Sequence, residues 1–213
     1  MSKLFFPGNA GDTKRVQEGS ASGGLIIEAE DTIIIDPGIG FIIKSNIKNV
    51  DTVLVTEDNI LYNNDQKAIE QIYKTRKITD ITTIDAKYAK SYIITTQKFI
   101  LGYISKAQLT KKFAEEFKNV NILVIHATTG KEYLTIEDMI NIIEYTTPEL
   151  VILTGFSHNI DPLEFSRHVK KELQKYTEHI KTQIIPAKDQ TTIDTEVYNI
   201  RLKQKSLKGF LEH

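Results

Sequence analysis

SASGGLIIEAEDTIIIDPGIG (residues 20–40) holds two apolar runs, 25–29 and 32–35, split by Glu30 and Asp31 and closed by Asp36, Pro37, Gly38 and Gly40. β-branched runs on either side of a short acidic pair predict a hairpin. Pro37 and the glycines stop the second strand, and residues 41–45 follow as one or two helical turns. Upstream, residues 3–6 make a short apolar strand ended by Pro7 and Gly8, and residues 9–22 read as a polar loop. Downstream, 51–56 is a strand, read as buried because both of its faces are apolar. It runs into the polar stretch TEDNILYNND (residues 56–65) and then a helical segment, 66–76.

Strands then dominate from 77 to 103, with a tight turn at Gln97 and Lys98. The rest alternates: helix 108–117, strand 121–125, helix 135–145, strand 150–154, helix 161–178, strand 180–186 and a closing strand 191–202. Thr135 followed by Asp138 is a capping pair, and Asp161 before Pro162 marks the start of the longest helix. The inner side of that helix is read as Leu163, His168, Val169, Leu173 and Tyr176. No internal repeat or linker divides the chain, so a single domain over 1–213 is expected.

The totals set bounds. The 213 residues are 40% hydrophobic and 26% charged, with a formal net charge of −1, as in ordinary soluble domains. Such a balance gives no electrostatic reason to expect nucleic acid or an anionic membrane as partner. With no cysteine, disulfides, thiolate catalysis and Cys-ligated zinc are excluded. No apolar run reaches the roughly 18 residues of a membrane span, and the apolar run of MSKLFFPGNAGD is far shorter than a signal-peptide core. A cytoplasmic protein is expected.

Hairpins first and α/β alternation afterwards is neither a Rossmann order nor a barrel. PGNAGD, SASGGLIIEAEDTIIIDPGIG, VDTVLVTEDNILYNND, FILGYISKA, LVIHATTGKEYLTIEDMINII, PELVILTGFS and IIPAKD, in that order and spacing, resemble archaeal-type members of the metallo-β-lactamase superfamily. The resemblance implies an α/β fold, a four-layer αββα sandwich. It also implies one or two metals, usually zinc, held by an HxHxDH loop, two further histidines and a bridging aspartate, with a metal-bound water as nucleophile. Here the HxHxDH positions fall on Glu57, Asn59, Leu61 and Tyr62. The bridging aspartate falls on Lys106, and the two further histidines fall on Tyr133 and Gly155. Zinc is the family's cofactor, but its ligands are absent.

Two functions from different classes follow. In the first the chain is a pseudoenzyme that lost its dinuclear site and acts by binding a ligand or a partner, such as an active homologue or a second copy of itself, in the setting of nucleic-acid processing. Lys106 would then neutralise the nearby acids in place of a metal, and Tyr62, Tyr133 and Lys106 would fill the old cleft. In the second it is an atypical metal-dependent hydrolase of phosphoester or nucleic-acid substrates, built on Asp36, Asp58, His126, His158 and Asp189. That requires Glu57, Asp58 and Asp189 to converge. A third reading keeps a metal-free anion site at Lys106 and Tyr133. Against all three stands the plain alternative, that the acids and amides of 56–65 cap the following helix and the histidines are ordinary strand-end or surface residues.

Overall fold

The computed structural model describes residues 2–70, 79–177, 181–198 and 200. Two sheets face each other. The first has the order β11-β1-β2-β3-β4, from β1 (Lys3–Phe6), β2 (Leu25–Glu28), β3 (Thr32–Ile35), β4 (Thr52–Leu54) and β11 (Thr191–Asp194). The expected hairpin is present: β2 pairs antiparallel with β3, with Leu25 opposite Ile35 and Glu28 opposite Thr32. The second sheet has the order β10-β9-β8-β7-β6-β5, from β5 (Asp80–Asp85), β6 (Lys90–Thr95), β7 (Ile100–Ile104), β8 (Ile122–His126), β9 (Leu150–Thr154) and β10 (Gln183–Pro186). Its β7, β8, β9 and β10 run parallel.

Alternation along each strand divides the core. Leu25, Ile27, Ile33 and Ile35 meet Leu101, Tyr103, Ile122, Val124 and Ile152 between the sheets. The opposite face of the second sheet, with Leu123, Ile125, Val151 and Leu153, packs on α5 (Lys111–Glu116), α6 (Ile136–Thr146) and α7 (Pro162–Tyr176). On the first sheet's far side, Ile26 and Ile34 cover Phe41 of α2 (Phe41–Ser45), Val50 and Ile69. Burying an Ile or Leu side chain contributes roughly 1.5–3 kcal/mol, so β8, buried at every residue, anchors the sandwich through both faces. Helix, sheet, sheet, helix is the layer order read from the sequence.

Several local expectations are corrected. Residues 9–22 are not all loop: Asp12 accepts from the Arg15 amide and starts α1 (Thr13–Gln17). The polar stretch after β4 contains α3 (Ile60–Asn63), capped by Asn59 through the Leu61 amide. β4 is a half-buried three-residue edge strand rather than a buried one. The segment read as helix 66–76 is α4 (Gln66–Glu70) as far as it is described, and the remainder lies outside the described residues. Helix α5 begins after Thr110, whose hydroxyl accepts from the Phe113 amide, and not at residue 108.

Helix α6 keeps its capping box between Thr135 and Asp138, and α7 keeps Asp161 as N-cap. The buried side of α7 is Ser166, Val169 and Leu173. Leu163, His168 and Tyr176, read as inward, are exposed. The closing strand is β11 alone, followed by turns. Residues 178–180 and 201–202 of the expected elements lie outside the described residues.

Candidate functional site

The parallel strands β7, β8 and β9 end at one rim, the usual place for a site in such sheets. Lys106, just past β7, reaches this rim with its side chain 10% exposed. Its Nζ lies 2.7 Å from Glu57 Oε2 and 2.9 Å from Glu132 Oε2. Burial works against the ammonium, but the bonds to Glu57 and Glu132 outweigh it and hold the Lys106 pKa above its ordinary value. The charge also sits 6.0 Å from the Tyr62 ring centroid and 5.6 Å from that of Tyr133, within reach of cation–π attraction. Tyr62 Oη and Tyr133 Oη are 3.1 Å apart and close the space between α3 and the loop after β8. Tyr62 is buried, and that burial pushes its phenol pKa far up.

Deeper in the rim lies a second polar group. His126 stacks on Tyr62 and meets the edge of Tyr103. Its Nε2 is 2.8 Å from Tyr103 Oη. Asp36 accepts from the Thr56 amide at 2.7 Å and the Thr56 hydroxyl at 3.0 Å. Burial lowers the His126 pKa to about 3 and raises that of Asp36 to about 7. His126 Nδ1 has no partner among the described residues, and a buried N–H there would be left unmade. The tautomer that satisfies most groups has the proton on Nε2, donating to Tyr103 Oη, whose own proton goes to the Gly23 carbonyl at 3.3 Å. Asp36 takes φ 52°, a left-handed backbone that its hydrogen bonds to Thr56 hold in place.

Two glycines make the crowding possible. At Gly38 a Cβ would come within 1.8 Å of the Leu61 carbonyl oxygen, so the Pro37-Gly38 turn lies directly against α3. At Gly155, with φ +61°, a Cβ would meet His126 Nδ1 at 2.4 Å. His126 therefore occupies the space into which a side chain at 155 would extend.

The remaining sequence candidates do not join this cluster. Asp58 accepts from the Asn63 side-chain amide, and Asn59 caps α3. Leu61 is apolar and half-buried on the same helix. Asp189 accepts from the Ser20 hydroxyl at 2.8 Å and pairs with Lys44 at 3.8 Å. His158 donates its backbone N–H to Asp12 at 2.8 Å, and its Nδ1 lies 2.9 Å from the same carboxylate. His158 and Asp189 line an open polar cleft of about 620 Å³ with Asn9, Arg15 and Asp161. Its walls are tied together internally, Arg15 bonding to Asn9 and to the carbonyls of Ser157 and Ile160. Glu57, Asp58 and Asp189, required to converge by the hydrolase reading, thus answer to three different partners. Among the described residues no three or more His, Asp or Glu side chains are gathered to hold a metal ion.

Solved structures match this architecture over nearly its whole length. YhfI from Bacillus subtilis, described as a metallo-β-lactamase fold protein, superposes with a TM-score of 0.69 at 13% identity, over 90% of this chain and 98% of its own. A diphosphatase of the PhnP family gives 0.65 at 11% identity, over 95% and 100%. Human tRNase Z, short form, gives 0.62 at 8% identity, over 90% and 98%. The chain has the metallo-β-lactamase fold. No protein-family model matches the sequence, and neither does any curated protein.

The metal centre implied by the metallo-β-lactamase fold needs imidazole and carboxylate donors around a water. At the matched positions Glu57 is bound to Lys106, Asn59 caps a helix, Leu61 has no donor, Tyr62 keeps its proton and Gly155 has no side chain. The Lys106 ammonium stands where the resemblance puts a bridging carboxylate, and a fixed cation repels a dication. The residues present do not fit a dinuclear metal centre of this type.

Sequence reasoning found Glu57, Tyr62, Lys106 and Tyr133 but missed Glu132, Tyr103 and Asp12. Asp12 carried a signal, the capping spacing to Arg15. Glu132 and Tyr103 carried none, because their roles come from which strands end side by side.

Proposed function

We propose that this chain is a metallo-β-lactamase-fold protein that acts by binding rather than by metal-dependent hydrolysis. The observation that carries this reading is the Lys106 ammonium held between Glu57 and Glu132 beneath the Tyr62–Tyr133 hydroxyl pair. It neutralises the acids and fills the cleft that hydrolases of this fold keep open. With two carboxylates already on Lys106, the metal-free anion site has no uncompensated charge to offer. The partner belongs to the proposal as well: an active homologue or a second copy, in a cytoplasmic setting. Hydrolase neighbours such as tRNase Z support nucleic-acid processing as the context by analogy only. Among the described residues no helix is long and apolar enough to cross a membrane.

The test is metal content by mass spectrometry after incubation with zinc, manganese and magnesium in turn, alongside hydrolysis of a phosphodiester substrate. Near-zero occupancy without turnover supports the reading. A stoichiometric ion with metal-dependent turnover overturns it.

A further inference from the structure

Strand β5 is an edge of the second sheet, bonded to β6 on one side only. Its register runs unbroken from Asp80 opposite Thr95 to Asp85 opposite Lys90. Antiparallel pairing alternates between bonded and non-bonded pairs, and the Ala86 amide, donating to Ala89, fixes the phase. Thr82 and Ile84 therefore bond inward to β6, while the amides and carbonyls of Ile81, Thr83 and Asp85 point away from the sheet. These outward groups make no hydrogen bond among the described residues. Edge strands are ordinarily guarded by lysine, proline or a bulge, and DITTID has none of them.

Helix α5 lies along this edge. The Gln108 amide donates to Ala86 at the end of the strand, and the helix then runs back beside it. Lys112, Phe113 and Glu116 wall a groove of about 330 Å³ against Thr82 and Ile84. The helix keeps its charges apart: Lys111 and Lys112 open it, Glu115 and Glu116 close it, and all four are exposed. That order is the reverse of what the helix dipole favours, and none of the four makes an ion pair among the described residues. A second copy related by a dyad supplies the missing partners. Turned antiparallel, it sets Lys112 of each copy against Glu116 of the other.

The strand phase selects the register. Outward groups must face outward groups, so Asp80 cannot oppose Asp85 of the copy. A dyad at Thr83 sets Thr83 against itself, Ile81 against Asp85 and Asp80 against Ala86. It engages every outward residue of both strands, opposes threonine to threonine, and puts no like charges opposite each other along the strands. Asp85 stands opposite Lys90 within its own sheet. Lys87, bonded to Gln108 at 2.7 Å, lies one residue beyond the point that Asp80 of the copy meets. We propose that β5 is the interface between two copies of this chain, joined into one continuous sheet about a dyad at Thr83. The partner is one that the binding reading names, but the site rests on the strand edge and not on the Lys106 cluster. Metal content tests the first, and association state tests the second.

The sequence has no cysteine, so one introduced thiol reads the register. Thr83→Cys sets two thiols opposite each other with Cα atoms about 5.5 Å apart, within disulfide range, and should give a covalent dimer on mild oxidation. Asp85→Cys lies four residues along the strand, roughly 13 Å, from its copy and should not. The wild-type chain should sediment as a reversible dimer, with amide exchange at Ile81, Thr83 and Asp85 slowing as protein concentration rises. Thr83→Pro removes one outward N–H from each copy and should raise the dimer Kd at least about tenfold. If that variant does not fold, Lys112→Glu serves instead and should weaken the dimer, and adding Glu116→Lys should restore it. A wild type that stays monomeric, exchange at those amides that ignores concentration, or a Thr83→Cys that crosslinks no faster than Asp85→Cys overturns the proposal.

Discussion

Two polar groups share one rim of the sandwich and solve burial in opposite ways. At the rim Lys106, itself buried, keeps its charge by taking two carboxylates, one of them the half-exposed Glu132. Deeper, His126 and Asp36 sit buried and are driven toward their neutral forms, His126 bonded to Tyr103 and Asp36 to Thr56. The ammonium is offset by two carboxylates that still reach water, whereas an ionised group in the interior costs several kcal/mol unless fully paired. The contrast separates a charged cluster, paired with carboxylates, from a neutral polar layer beneath it.

The largest test adds an imidazole at the position that the resemblance matches to a histidine. Gly155→His places a side chain where His126 already lies and forces a left-handed backbone on a non-glycine residue. The expected outcome is a loss of about 3 kcal/mol or more in urea unfolding with no gain in zinc affinity. A stable, zinc-binding variant would break the claim that His126 closes that position.

The deep layer is sharpened by pH. For Asp36, raised to about 7 from 3.8, the folded state binds the extra proton. Its stabilisation is full below 3.8 and is lost as pH rises toward 7. For His126, lowered to about 3 from 6.5, the neutral form is favoured, so its contribution is full above 6.5 and is lost as pH falls toward 3. The two slopes oppose each other between about 4 and 6.5. Asp36→Asn removes one of them, so wild-type stability minus variant stability should fall by roughly 1–3 kcal/mol between pH 4 and pH 7. A difference independent of pH would remove Asp36 from the layer.

The rim should respond more modestly. Lys106→Met leaves Glu57 and Glu132 facing each other without their cation, and about 2 kcal/mol should be lost in denaturant unfolding. A combined Lys106→Met, Glu57→Gln variant should lose less than the sum of the single changes. Additivity would mean that the pair does not interact. Smallest of all, Glu132→Gln acts on a side chain 52% exposed and should cost under about 1 kcal/mol, diminishing with added salt.

How much of this was legible before the structure varies by element. The layer order came through the resemblance of the seven segments, while apolar runs such as 121–125 and 150–154 placed the buried central strands. Helices α1 and α3 were hidden, since four or five residues carry no helical period and only the caps Asp12 and Asn59 betray them. Leu163, His168 and Tyr176 were set on the wrong side of α7, where the alternation of Val169 and Leu173 decides the buried face. The lack of a metal donor at Leu61 and the cation at Lys106 were readable one residue at a time. The pairing of Lys106 with Glu132 was not, because the two meet only after β7 and β8 have been laid side by side.

The most direct measurement observes the Lys106 ammonium itself, by ¹⁵N-detected NMR of lysine Nζ groups with and without added zinc. A slowly exchanging Lys106 resonance that weakens in Glu57→Gln and ignores zinc is the predicted result. A Lys106 signal that exchanges like those of surface lysines, or one that zinc displaces, would contradict the account.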